Sequence, residues 1–161
     1  MVDPISIFGA TASVISIIDV LSKSISLLEN LRSQWKTADL ALLSLTSQLG
    51  ALNAALVKIH EWAESGVDEL HHQLVMDLKS SIDCCHILAS KVHGEITDLQ
   101  REPGGALLAT AKARFTFKRN GMSELQSMID RQTSALTLLL TACNRCEELH
   151  ALNLVKADAF K

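Results

Sequence analysis

Hydrophobic residues recur along this chain in steps of three and four. Between positions 42 and 59 the series is Leu42, Leu45, Leu49, Leu52, Leu56 and Ile59. A second runs Val75, Leu78, Ile82, Cys85, Ala89, Val92, Ile96 and Leu99. A third runs Met122, Leu125, Ile129, Gln132, Leu136, Leu139, Cys143 and Cys146, with Gln132 as its one polar interruption. This alternation gathers apolar side chains on one face of an α-helix. No stretch alternates with period two for long enough to be read as a strand.

The N-terminal segment is different. Its stripe of Ile7, Val14, Ile18, Leu21, Ile25 and Leu28 faces a core, while Ile5, Phe8, Ile15, Ile17 and Val20 fall outside that stripe. From Pro4 to Ile18 the remaining faces hold only Ser, Thr, Ala and Gly. A helix that is apolar or neutral nearly all round is either deeply buried or suited to lipid.

Punctuation fits these segments. Asp3 before Pro4 is an N-cap and first-turn pair. Ser65 with Asp68, and Ser123 with Gln126, read as capping boxes. Pro103-Gly104-Gly105 is the strongest break. The pattern predicts helices over about 4–34, 38–63, 67–100 and 121–153, with 106–119 a shorter helix or ordered connector. The expected fold is all-α: an elongated antiparallel bundle of four long helices plus a shorter connector helix. Residues 1–153 form the domain, with 4–34 as its N-terminal helix, and 154–161 a C-terminal tail or linker.

Composition narrows the class. Of 161 residues, 48% are hydrophobic and 20% charged, which excludes a disordered chain. The length fits one domain able to bury roughly 70% of its unfolded surface. The mean hydropathy is positive, so apolar surface is available for a partner or a lipid. A formal charge of −3 excludes a wholesale basic nucleic-acid binder. Charge is uneven all the same. Residues 67–100 hold two Lys against six Asp or Glu, whereas 101–121 hold five Lys or Arg against one Glu. Lys112, Arg114, Lys118 and Arg119 interleave with Phe115 and Phe117. This patch either meets anionic lipid or keeps its cations in water while the two rings plug the bundle.

The first cation is Lys23, so no secretory signal is expected. The uncharged run Pro4–Ile18 is 15 residues, about 22 Å of helix against roughly 30 Å of hydrocarbon, so no transmembrane helix of standard length is expected either. Val2 stands where myristoylation needs Gly. Cys84, Cys85, Cys143 and Cys146 fit a reduced, intracellular setting.

No enzyme signature is present: no glycine-rich phosphate loop, no nucleophile elbow, no paired zinc-binding histidines. No catalytic residue, cofactor site or metal site is assigned. His71, His72, His86, His93 and His150 read as solvated or capping side chains. Antiparallel third and fourth helices can bring Cys85, Cys143, Cys146 and His86 or His150 together for zinc or redox chemistry. The stronger reading takes Cys85, Cys143 and Cys146 as small hydrophobes on the helix seams. Trp35 and Trp62 close the first two helices, either packing a bundle end or anchoring at a membrane interface.

The N-terminal segment carries the functional expectation. It is one helix of the core at rest, but its faces suit a bilayer equally. A few hundred Å² of apolar area at roughly 0.025 kcal/mol per Å² yields several kcal/mol, comparable to the cost of undocking a helix.

The opening Met1-Val2-Asp3-Pro4-Ile5-Ser6-Ile7-Phe8-Gly9-Ala10-Thr11-Ala12-Ser13-Val14-Ile15 resembles the start of fungal HeLo-like domains. Phe115 to Leu125, with Ile129-Asp130-Arg131-Gln132 and Leu136-Thr137-Leu138-Leu139-Leu140, is similar to that family's basic-aromatic connector and late Leu-rich helix. Val2 interrupts the usual Met-Asp-Pro opening. The 161 residues include no Asn/Gly-rich amyloid motif and no nucleotide-binding domain.

The resemblance implies a helical bundle found at the N-terminus of fungal STAND (NOD-like) receptors and amyloid-controlled cell-death effectors. It implies an upstream amyloid or STAND trigger, a homo-oligomer on activation and exposure of the N-terminal helix. It implies a cytoplasmic resting state and permeabilisation of the plasma membrane at its anionic leaflet. Carried onto this chain, the insertion residues are Ile5, Phe8, Ile15 and Ile17. Asp19 sits at the aqueous boundary or lines a pore. The basic lipid-contact patch is Lys112, Arg114, Lys118 and Arg119. The alternative is a homotypic helical interaction or adaptor module of a NOD-like receptor that signals without membrane insertion.

Overall fold

The computed structural model describes residues 4–34, 40–64, 72–100 and 119–158. All of them are helical: α1 Pro4–Gln34, α2 Leu40–Glu64, α3 His72–Gln100 and α4 Arg119–Asp158. At 1.5 Å per residue, the 25 residues of α2 span about 37 Å and the 40 of α4 about 60 Å. The expected connector over 106–119 lies outside the described residues apart from Arg119, and so do Asp3, Ser65 and Asp68. Ser123 is a full turn inside α4 rather than at its N-cap, because the helix already begins at Arg119.

The predicted seams form the core. Leu42, Leu45, Leu49, Leu52, Leu56 and Ile59 are each at most 1% exposed. From α3 come Leu78, Ile82, Cys85, Leu88, Ala89, Val92 and Ile96, and from α4 Leu125, Ile129, Leu136 and Cys143. Gln132 is half-buried in its seam. Trp62 packs half-buried against the core, in agreement with the bundle-end reading, whereas Trp35 lies outside the described residues.

In α1 the buried face differs from the expected one. The buried residues are Val14, Ile17, Leu21, Ser24, Leu28 and Leu31, again in steps of three and four. Ile18 and Ile25 pack at the flank, only half-buried. The seam is rotated by one residue, and a serine occupies one of its positions.

Each helix has two neighbours. α1 packs on α2 and α3, and α4 also packs on α2 and α3. α2 and α3 therefore face each other across a diagonal, as do α1 and α4. The five residues between α1 and α2 and the seven between α2 and α3 reach at most about 22 and 29 Å, less than the length of α2. The first three helices therefore alternate in direction, which makes α1 and α3 parallel neighbours.

Candidate functional site

The candidate site is α1, whose first fifteen residues carry no charge. Its described outward face carries Ala12, Ile15, Ser16, Asp19, Ser22, Lys23 and Ser26. Ile15 is 52% exposed. Asp19 and Lys23, both mostly exposed, form an i,i+4 ion pair at 2.6 Å. Such a pair contributes about 0.3–0.5 kcal/mol in water, so its larger effect is to leave neither charge alone on an otherwise neutral surface.

The sequence-derived residues separate into distinct environments. Ile15 and Asp19 are exposed on the outward face of α1. Ile17 is fully buried and corrects the expectation that it lies outside the core stripe. Ile17 and Ile18 are equally apolar, and the three-four phase from Val14 to Leu31 selects Ile17. Ile5 and Phe8 belong to α1, but their side chains lie outside the described set. Lys112, Arg114 and Lys118 lie outside the described residues. Arg119 opens α4, with its side chain likewise outside the described set.

One site residue was not anticipated. Ser24 is fully buried at the α1–α3 interface, with its Oγ 2.9 Å from His93 Nδ1. The same hydroxyl donates to the Val20 carbonyl at 2.8 Å. Thr97 Oγ1 donates to the His93 carbonyl. His93 is thus a half-buried partner of α1 rather than a solvated side chain. The sequence signal was available: a serine seven residues from both Ile17 and Leu31 sits in phase with the seam.

A second polar link joins α2 to α4. Gln48 Nε2 donates to Asp130 Oδ2 at 2.8 Å. A third joins α3 to α4, where Gln132 Nε2 donates to Cys84 Sγ at 3.0 Å.

That third link sets the level of the thiols. Cys143 lies eleven residues beyond Gln132, about 16 Å along α4 from the level of Cys84. The two thiol clusters are therefore apart, against the idea that α3 and α4 bring Cys85, Cys143 and Cys146 together. Among the described residues no three His, Cys, Asp or Glu side chains gather in a way that can hold a metal ion. All four cysteines are free thiols, Cys84 exposed and Cys85 and Cys143 buried. Burial, and secondarily the neighbouring Cys84, pushes the Cys85 thiol up to about 12, so it is held as the neutral thiol at neutral pH.

Two helices of the bundle are long and apolar enough to cross a membrane, over Thr11–Ser33 and Leu40–Glu64. This revises the expectation of no such segment. Counting uncharged residues stopped α1 at Asp19, yet Asp19 and Lys23 form a mutual pair. In α2 the uncharged run Leu40–Val57 is 18 residues, longer than the Pro4–Ile18 run.

Comparison of the chain with protein-family models, with curated proteins and with solved structures finds no match in any of the three.

Proposed function

We propose that this domain is a membrane-targeting, pore-forming or permeabilising cell-death effector of the fungal innate-immunity and incompatibility type. It rests in the cytoplasm as a closed bundle. Oligomerisation frees α1, which enters the anionic leaflet of the plasma membrane. The observation that carries this reading is α1 itself: no charge from Pro4 to Ile18, and an outward face where Ile15 lies beside Ala12 and Ser16, one turn before the Asp19–Lys23 pair. Its seam of Val14, Ile17, Leu21, Leu28 and Leu31 holds it in the core at rest, and the same apolar area is available to acyl chains once α1 leaves. The resemblance of residues 1–15 and 115–140 to HeLo-like domains supports the same reading. Lys112, Arg114, Lys118 and Arg119 supply the electrostatic contact, at about 1 kcal/mol per cation near an anionic surface.

The test is dye release from anionic and from neutral vesicles by the full chain and by Ile15→Glu, each taken up to the protein concentration at which the chain self-associates, which supplies the oligomerisation step. Ile15 is half exposed, so the variant keeps its helical circular dichroism. The expected result is leakage from the unmodified chain, preferentially with anionic lipid, and its loss in Ile15→Glu. Absence of both leakage and vesicle binding by the unmodified chain at every lipid ratio overturns the proposal. The competing adaptor-module reading predicts self-association in lipid-free buffer that Ile15→Glu leaves intact.

A further inference from the structure

We infer that the unit entering the lipid is α1 together with α2, not α1 alone. The inference rests on the membrane reading above and adds a second helix to it. Leu40 to Val57 is a run of 18 residues without Asp, Glu, Lys or Arg, about 27 Å of helix. The charges of α2, Lys58, Glu61 and Glu64, all sit in its last two turns. In α1 the stretch from Thr11 to Leu28 holds only Asp19 and Lys23, already paired with each other. The other half of the bundle is interrupted by charge more often, and its longest uncharged run among the described residues is Gln132–Asn144, 13 residues. Asp77, Lys79, Asp83, Lys91, Glu95 and Asp98 are distributed along α3, and α4 carries Glu124, Asp130, Arg131, Arg145 and Glu148.

Packing makes the two apolar helices interdependent. If α1 left alone, it would uncover parts of both α2 and α3, its two neighbours. α3 has charges around its remaining faces to keep it hydrated. α2 has none before Lys58, and its outward positions Leu40 and Leu43 are already exposed apolar surface. Uncovering α2 in water is therefore the least favourable outcome, and following α1 into lipid avoids it.

The polar links lie where such a division requires them. A plane separating α1 and α2 from α3 and α4 is crossed by Ser24–His93 on one side and by Gln48–Asp130 on the other. Gln132–Cys84 lies within the charged half. Parting the bundle along this plane breaks these two links and the apolar packing of α1 on α3 and of α2 on α4, and leaves the α1–α2 and α3–α4 pairs intact.

Site-specific fluorescence tests the inference. In a background of Cys84→Ser, Cys85→Ala, Cys143→Ala and Cys146→Ser, a single thiol is placed by Ile15→Cys on α1, Ala54→Cys on α2 or Leu138→Cys on α4. All three positions are exposed in the closed bundle. Each is labelled with an environment-sensitive dye and mixed with vesicles of phosphatidylcholine and phosphatidylserine carrying a lipid-embedded quencher. The expected result is a blue shift and quenching at positions 15 and 54 but not at 138. A response at 15 alone overturns the inference and leaves the α1 reading standing. No response anywhere overturns both. A response at all three positions overturns the division into halves. Independently, Ala54→Lys is expected to lower vesicle insertion roughly a hundredfold without changing the circular dichroism in buffer, and unchanged insertion overturns the inference.

Discussion

Ser24 Oγ on α1 lies 2.9 Å from His93 Nδ1 on α3, inside an otherwise apolar seam. The same hydroxyl lies 2.8 Å from the Val20 carbonyl, and when it donates there the imidazole Nδ1–H is the donor to Oγ. A polar pair in a parallel helix interface favours one register, because a shift of one turn would part the half-buried His93 Nδ1 from Ser24 Oγ.

The energetic value of that pair is measurable. Ser24→Ala is expected to destabilise the bundle by about 1 kcal/mol, since it leaves Nδ1 half-buried and unpaired. Urea unfolding of Ser24→Ala, His93→Ala and the double variant should give a coupling of about 0.5–1.5 kcal/mol. A coupling of zero would show that the two groups are adjacent without stabilising each other.

Gln132 presents the opposite case. Its Oε1 is buried and meets no donor among the described residues, while its Nε2 bonds only to a thiol. Gln132→Leu continues the seam of Leu125, Ile129 and Leu136. It removes an unsatisfied acceptor and is expected to raise stability by about 1 kcal/mol, or Tm by roughly 3 °C. A lower melting temperature would mean that the Cys84 contact outweighs the orphaned oxygen.

Leu52 is fully buried at the middle of α2. Leu52→Ala is expected to cost about 3 kcal/mol through lost apolar contact and the cavity left behind, and to lower Tm by roughly 10 °C. A loss below about 1 kcal/mol in a calorimetric scan would indicate that the centre of the bundle collapses around the missing side chain.

The buried thiol gives the bundle an alkaline limit. Cys85 ionises at its ordinary value of 9.0 when unfolded, but folding pushes it up to about 12. Between those values the unfolded chain binds fewer protons. The contribution is complete below pH 9 and falls as pH rises towards 12, by up to about 1.4 kcal/mol per pH unit. The chain has no Tyr, so no phenol titrates in this window. Urea midpoints measured from pH 8 to 11 should fall less steeply for Cys85→Ala than for the unmodified chain. Equal slopes would contradict the assignment. A thiol reagent at pH 8 should modify Cys84 first and Cys85 only on unfolding.

The buried face of α2 was legible from sequence because each of its six seam positions holds Leu or Ile. α1 was not, because Ile17 and Ile18 offer two phases and Ser24 looks wrong in a core until His93 is placed beside it. The start of α4 was read two residues late and its end five residues early, since neither terminus carries a cap that overrides the helical pattern. The pairing of helices was beyond reach for a different reason. A heptad seam states which face is buried but not which helix covers it, so nothing in the spacing puts α2 opposite α3. The basic residues at 112–118 were legible only as composition.

The diagonal placement of α2 and α3 has a kinetic consequence. Seven residues between Glu64 and His72 are a direct covalent tether from the α1–α2 half to the charged half. Separation of the halves is therefore an intramolecular event. Each half remains at an effective concentration on the order of millimolar with respect to the other. Re-closing thus competes continuously with any other acceptor of the apolar faces. The same tether allows one copy's α1 and α2 to close onto another copy's α3 and α4, an exchange in which every native contact is recovered between chains.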